Sequence, residues 1–348
     1  MGCFRVAAAA AMVLAAGLVA IAPPMARAQE PVVVKISLSV VNDPNHAWCK
    51  AFAAEIDARG GGKLQGRVFP SAQLGSDARA LEGVQLGTIE VLSTVPVFLA
   101  GLNPSLAVVD SPGLFTDLAH ATRGLAYPKF RERYFSLVQD KGIEIFSIFP
   151  HSFHNYASST PIRTLADFSG KKIRVLATKT ELALMQSYGA TGTPITFSEV
   201  LPALQQRVVD AVRSSITVMA PFKYYDVAKY ATVINDGFIP ISSFVSKAFL
   251  SKLTAGERDV LRAAAKAAEE KMAGISAELA ARAEAAWTAG GGELIRLSDA
   301  DQREAIRRAQ AVADSFAPRP RPPRTRWPAS RRSSRRAPKP PGRRAEAR

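Results

Sequence analysis

The sequence predicts an α/β fold of two lobes with a ligand cleft between them and long connecting helices. Three observations point there. Strand-like and helix-like stretches alternate through residues 29–316, the rhythm of a parallel sheet with helices on its faces. The alternation runs twice, and extended segments near 150–160 and 235–250 cross between the two runs. Hydrophobic residues make up 47% of the chain, and a body of this length can bury one or two ordinary cores.

Taken in order, Val32–Val41 alternates apolar Val34, Ile36, Leu38 and Val40 with polar neighbours, as a strand does. Asn45–Arg59 repeats Trp48, Phe52 and Ile56 at four-residue spacing, an amphipathic helix stopped by Gly60-Gly61-Gly62. Gly66–Pro70 is a short strand, Asp77–Leu86 a helix ending at Gly87, and Thr88–Thr94 a strand. A helical region over Ala119–Gln139 leads to extended pieces at Gly142–Phe149 and Asn155–Ser159. Lys172–Leu176 and Pro194–Phe197 read as strands around a helix at Thr180–Tyr188. Ser198 is placed as the N-cap of a helix to Val208, with Glu199 at the positive end of its dipole. Ala231–Asn235 and Ser243–Phe249 read as strands, Thr254–Trp287 as one long alanine-rich helix, and Ala300–Ala313 as the last helix.

The ends differ from the body. A basic start, the apolar run Val6–Ala22 and an Ala26-Arg27-Ala28 site form the layout of a cleaved export signal over residues 1–28. A soluble periplasmic protein beginning near Gln29 is expected. Of the formal net charge of +15, the segment 317–348 carries +11 and the first 28 residues +2, which leaves +2 for residues 29–316. The basic segment holds eight prolines and no apolar periodicity, a disordered composition with nothing to bury. It reads as a frame-shifted or otherwise aberrant C-terminus, which sequencing the 3′ end of the gene would test. No nucleic-acid partner is assigned to it. Loss of Cys3 with the signal leaves Cys49 alone, so no internal disulfide forms, and Cys49 is read as a small buried hydrophobe.

Common catalytic and cofactor signatures are missing. There is no G-x-S-x-G elbow, and Gly170-Lys171-Lys172 has Leu165 where a phosphate loop needs glycine. Gln65 occupies the third glycine position of a dinucleotide pattern after Gly60. His151 and His154, three apart on an extended segment, point to opposite faces. No catalytic residue, metal ligand or cofactor is assigned.

Two blocks of sequence carry a resemblance. One is Phe69-Pro70-Ser71-Ala72-Gln73-Leu74-Gly75-Ser76-Asp77 with Glu82-Gly83-Val84-Gln85-Leu86-Gly87. The other runs from Leu165-Ala166-Asp167-Phe168-Ser169-Gly170-Lys171-Lys172-Ile173-Arg174-Val175 to Lys223-Tyr224-Tyr225-Asp226-Val227-Ala228-Lys229-Tyr230. Over residues 30–315 the chain resembles the substrate-binding subunits of tripartite ATP-independent periplasmic (TRAP) transporters. The resemblance implies a periplasmic-binding-protein fold that closes on a small organic anion, usually a carboxylate. It also implies delivery of that anion to a two-part membrane permease, with no enzymatic activity and a monomeric state.

The family's binding arginine falls on Arg174. A guanidinium offers a rigid fork of donors matched to a carboxylate, although pairing with Asp167 or Glu199 would use the same side chain structurally. At an open cleft, its removal should change stability little. Phe197 falls on the family's aromatic contact and equally suits a core strand face. Ser214 stands where many members carry an asparagine, and Arg213 stands where an acid is common. His154 lies about where a second arginine is usual; it can donate to a ligand or sit on the surface. Ser93-Thr94-Val95 lacks the glutamate of sialic-acid-type members. A ligand-binding sensor and a periplasmic enzyme on the same scaffold are the alternative functions.

Overall fold

The computed structural model describes residues 30–316. The export signal read at 1–28 and the basic segment from 317 lie outside them.

The first half begins with β1 (Val32–Ser37), α1 (Pro44–Arg59), β2 (Leu64–Phe69), α2 (Asp77–Leu86) and β3 (Val91–Thr94). Asp43 caps α1 by accepting from the His46 N–H, and Ser76 caps α2. Gly87 ends α2 at φ 77°, a left-handed conformation that costs glycine little. The helical region after β3 is divided: α3 (Leu118–Ala126) and α4 (Pro128–Phe135) meet at Tyr127, because a proline opens the second helix and bars its predecessor from helical backbone.

β4 (Ile143–Ser158) and β8 (Tyr230–Ser246) are single strands where the sequence suggests four pieces. Alternation is lost where Pro150 and Pro240 face each other in the register. Neither can donate to the ladder, and the pairing shifts between Pro150 and Ser152, the kind of irregularity that tolerates proline. These two antiparallel strands are the crossing segments. At one end β8 pairs with β3, and at the other β4 pairs with β7 (Ala211–Ser214).

The second half holds β5 (Lys172–Val175), α5 (Lys179–Ser187), β6 (Thr191–Pro194), α6 (Phe197–Gln205), β7 and α7 (Ile216–Met219). Phe197 therefore opens a helix and does not close a strand. The N-cap is Thr196, whose hydroxyl donates to Glu199. After β8 and α8 (Lys247–Leu250), the predicted long helix is two, α9 (Ala255–Glu270) and α10 (Met272–Ala289), parted at Lys271. Met272 enters the core beside β1 and α1, whereas Ala283 and Trp287 enter the core behind β7, so α10 turns to run between the lobes. β9 (Glu293–Arg296) pairs with β8, and α11 (Asp299–Phe316) follows.

The result is one mixed sheet in the order β2-β1-β3-β8-β4-β7-β5-β6 with β9 on β8. Four apolar clusters flank it. Two lie in the first half, around Trp48 and Phe52 and around Phe115 and Phe244; two lie in the second, around Phe168 and Tyr188 and around Tyr224 and Trp287. Cys49 is fully buried beside Trp48.

Candidate functional site

A cleft lies between the halves. Its second-half wall comes from β5, the end of β7 and the start of α6, its floor from β4 and β8, and its first-half wall from the ends of β1, α1, α2 and β3. Arg174, Phe197, Ser214, Arg213 and His154 all line it. A groove sharing Ser39, Asp77, Phe98 and Phe197 leads outward past Thr196, Ser198 and Phe222.

Arg174 sits on β5 between Thr193 of β6 and Val212 of β7. It is 2% exposed, so the side chain is enclosed and does not lie at an open cleft. Its Nε donates to the Ile195 carbonyl at 3.0 Å and its Nη1 to the Arg213 carbonyl at 3.3 Å. Nη2 has no partner among the described residues. Burial pulls its pKa down, against the attraction of Glu181 and Tyr224. Neither acid near in sequence is its partner. Asp167 accepts from the Arg163 and Thr164 N–H groups, and Glu199 accepts from Thr196.

Arg213 differs. Its Nε donates to Tyr156 Oη at 3.0 Å, Nη1 to Glu181 Oε1 at 2.6 Å and Nη2 to Asp236 Oδ1 at 2.8 Å. Asp236 also accepts from Tyr156 and Tyr188. Two carboxylates thus neutralise this guanidinium before any ligand arrives. Gly237 packs against its head, and a Cβ there would overlap Arg213 Nη2. The network joins β7, α5, β8 and β4, and it makes Arg213 a poor candidate for a free ligand cation. Burial raises the Glu181 carboxyl, which Arg213 pulls back down.

His154 is 2% exposed, with neither ring nitrogen hydrogen-bonded. Its Nε2 lies 3.5 Å from Glu181 Oε1. Burial, then Arg213 and Arg174, hold its pKa well below the usual histidine value, so it faces the cleft as a neutral imidazole able to donate and accept. It is no surface residue. Phe197 is half-buried and meets Phe222 edge to face at 5.3 Å.

The first-half wall was not anticipated. Asp77 accepts from Ser39 Oγ at 2.7 Å and Thr94 Oγ at 2.6 Å. Asp43 accepts from the His46 N–H and pairs with His151 Nε2 at 2.8 Å. Thr94, marked in the sequence only for the glutamate it replaces, serves Asp77. Asp43 reads as the cap of α1 and Asp77 as a first-turn acid of α2 behind the cap Ser76, which hides their facing the cleft. Asp43, His151 and Ser152 form a hydrogen-bonded chain with the composition of an acyl-transfer triad. Ser152, however, does not line the cleft, and a nucleophile must reach the bound group. Among the described residues no cluster of histidine, cysteine and acidic side chains is arranged to hold a metal ion, and no helix is long and apolar enough to cross a membrane.

Comparison with known proteins places these features in company. The family model of bacterial extracellular solute-binding proteins, family 7 (DctP), matches residues 39–319. The 2,3-diketo-L-gulonate-binding periplasmic protein YiaO of Escherichia coli is 29% identical over 59% of this chain, and the match spans 63% of that protein's length. The C4-dicarboxylate-binding periplasmic protein DctP of Rhodobacter capsulatus is 31% identical over 72% of this chain and 75% of its own. A crystal structure of a TRAP periplasmic solute-binding protein from Shewanella oneidensis with bound succinate superposes with a TM-score of 0.77. It is 25% identical and covers 82% of this chain and 94% of its own.

Proposed function

The chain belongs to the bacterial extracellular solute-binding proteins of family 7, and from that premise we propose that it captures a small organic anion, with Arg174 holding a carboxylate in the cleft. One observation carries the reading: an enclosed guanidinium whose Nη2 has no partner in a cleft between two lobes. A buried donor left unpaired costs ~1–3 kcal/mol, and an incoming carboxylate oxygen removes that cost. His154 and Ser214 add neutral polar groups beside it, and Phe197 covers the apolar body of the ligand. Arg213 positions the wall and does not touch the ligand.

The related proteins with periplasmic binding roles support export of this chain and delivery of the ligand to the membrane subunits of a TRAP-type permease; removal of residues 1–28 and action as a monomer are part of the same proposal. Ligand capture without chemistry fits the cleft better than catalysis, since Ser152 stands off it. A thermal-shift screen against organic acids tests the proposal, because a ligand that binds only the folded state raises the melting temperature. Acids that raise it in the wild type and not in Arg174→Ala are the expected result. A screen in which only cations or neutral sugars act would refute it.

A further inference from the structure

Resting on the anion-capture reading above, we infer that the ligand is a monocarboxylate carrying hydroxyl or ammonium donors at its far end, and that dicarboxylates are excluded. The two walls of the cleft differ in charge. On the second-half wall two guanidinium groups, Arg174 and Arg213, face the buried carboxyls Glu181 and Asp236. Arg213 is held by both acids, at 2.6 and 2.8 Å, and His154 is neutral. One cationic nitrogen, Arg174 Nη2, is left for an anion.

The opposite wall has the other sign. Asp77 stands at the start of α2, where the helix dipole favours its charge. Among the described residues it has no cationic partner, only the hydroxyls of Ser39 and Thr94, one on each oxygen. A carboxylate oxygen accepts up to two hydrogen bonds, so Asp77 retains acceptor sites on a wall that faces the ligand. Asp43, beside it in the cleft, is met by His151. A second ligand carboxylate would meet Asp77 as a like charge at close range, and the two would repel. O–H or N–H donors meet the same acceptors favourably, and an ammonium also supplies the missing positive charge. Val40, Val95, Phe98 and Ile239 line the space between the walls, which suits a short carbon backbone.

The test is calorimetric titration of the whole protein with gluconate, 4-aminobutanoate and succinate, repeated on Asp77→Asn. A charge-assisted hydrogen bond contributes roughly tenfold to a hundredfold in affinity. At least one donor-bearing acid should therefore bind about tenfold or more tighter than succinate, and Asp77→Asn should shrink that ratio to near unity. A larger loss for 4-aminobutanoate than for gluconate in the variant identifies an ammonium as the donor; a larger loss for gluconate identifies hydroxyls. Succinate binding as tightly as either acid, or a ratio unchanged in Asp77→Asn, overturns the inference while leaving anion capture standing. If neither donor-bearing acid binds, the inference also fails. Should no organic acid of any kind bind, the anion-capture reading beneath it falls as well. The wild-type ratio decides the matter even if the variant does not fold.

Discussion

Replacing Arg213 with methionine should destabilise the protein severely without removing the ligand anchor. The side chain is 1% exposed and holds Glu181, Asp236 and Tyr156 at 2.6–3.0 Å. Methionine fills much of the volume but leaves two buried carboxyls without a cation, a change that costs ~3–5 kcal/mol. For a domain of this size each kcal/mol moves the melting temperature by about 2–4 °C, so a fall of roughly 6–20 °C is expected. Its pH dependence is also determined. Burial already raises the folded-state Glu181 carboxyl above 4.5. A raised carboxyl contributes stability below its unfolded value and loses it as the pH climbs through the folded one. Without Arg213 the rise is larger, so the deficit should widen above about pH 4.5 and narrow toward it. Thermal unfolding from pH 4.5 to 8, with ligand affinity measured on the folded fraction, checks both. A variant with wild-type stability and no affinity would mean that Arg213 binds the ligand and that the pairing reported above is not what holds it.

Two more outcomes follow from other buried groups. Asp110 is buried with neither carboxyl oxygen hydrogen-bonded among the described residues, and burial, then Glu181, raises it well above 3.8. Wild-type stability should therefore fall above about pH 4 in part through Asp110, at up to ~1.4 kcal/mol per pH unit. Asp110→Asn should flatten that limb in urea titrations, and parallel curves would contradict it. Burial pushes the Cys49 thiol up, and the thiol faces Asn45. In the native protein Cys49 should resist maleimide and react only on unfolding, as peptide mass spectrometry would show; rapid native labelling would place it elsewhere.

How much of this was legible in the sequence depends on the range of each interaction. Helices α1 and α2 were readable because their caps and apolar spacing are local, and the alternating elements imply the two lobes. The crossing strands β4 and β8 each read as two pieces in the sequence, because Pro150 and Pro240 erase the alternation at the point where only pairing with each other maintains the strand. Arg174 was located through a family block, yet its freedom from Asp167 and Glu199 had a local sign: Thr164 and Thr196 precede those acids by three residues, the spacing of a capping box. The pairing of Arg213 was not legible, since its partners Glu181 and Asp236 lie 32 and 23 residues away. The acidic wall went unnoticed for a similar reason. Asp43 looks like an ordinary helix cap and Asp77 like an ordinary first-turn acid until the fold turns both toward one cleft. The small stability role expected for Arg174 also needs revision, because the enclosed side chain bonds two carbonyls.

Calorimetry on Arg174→Ala and Arg174→Lys with an acid identified by the screen decides whether Arg174 anchors the ligand carboxylate. Alanine removes the fork and frees the Ile195 and Arg213 carbonyls, so a lower melting temperature is expected alongside the binding loss. Titrations therefore belong at a temperature where both variants remain folded. With Arg174 as the anchor, alanine should lose roughly tenfold to more than a hundredfold in affinity. Lysine should also bind more weakly than the wild type, since it keeps the charge and loses the paired geometry. Wild-type affinity in both folded variants would contradict the account.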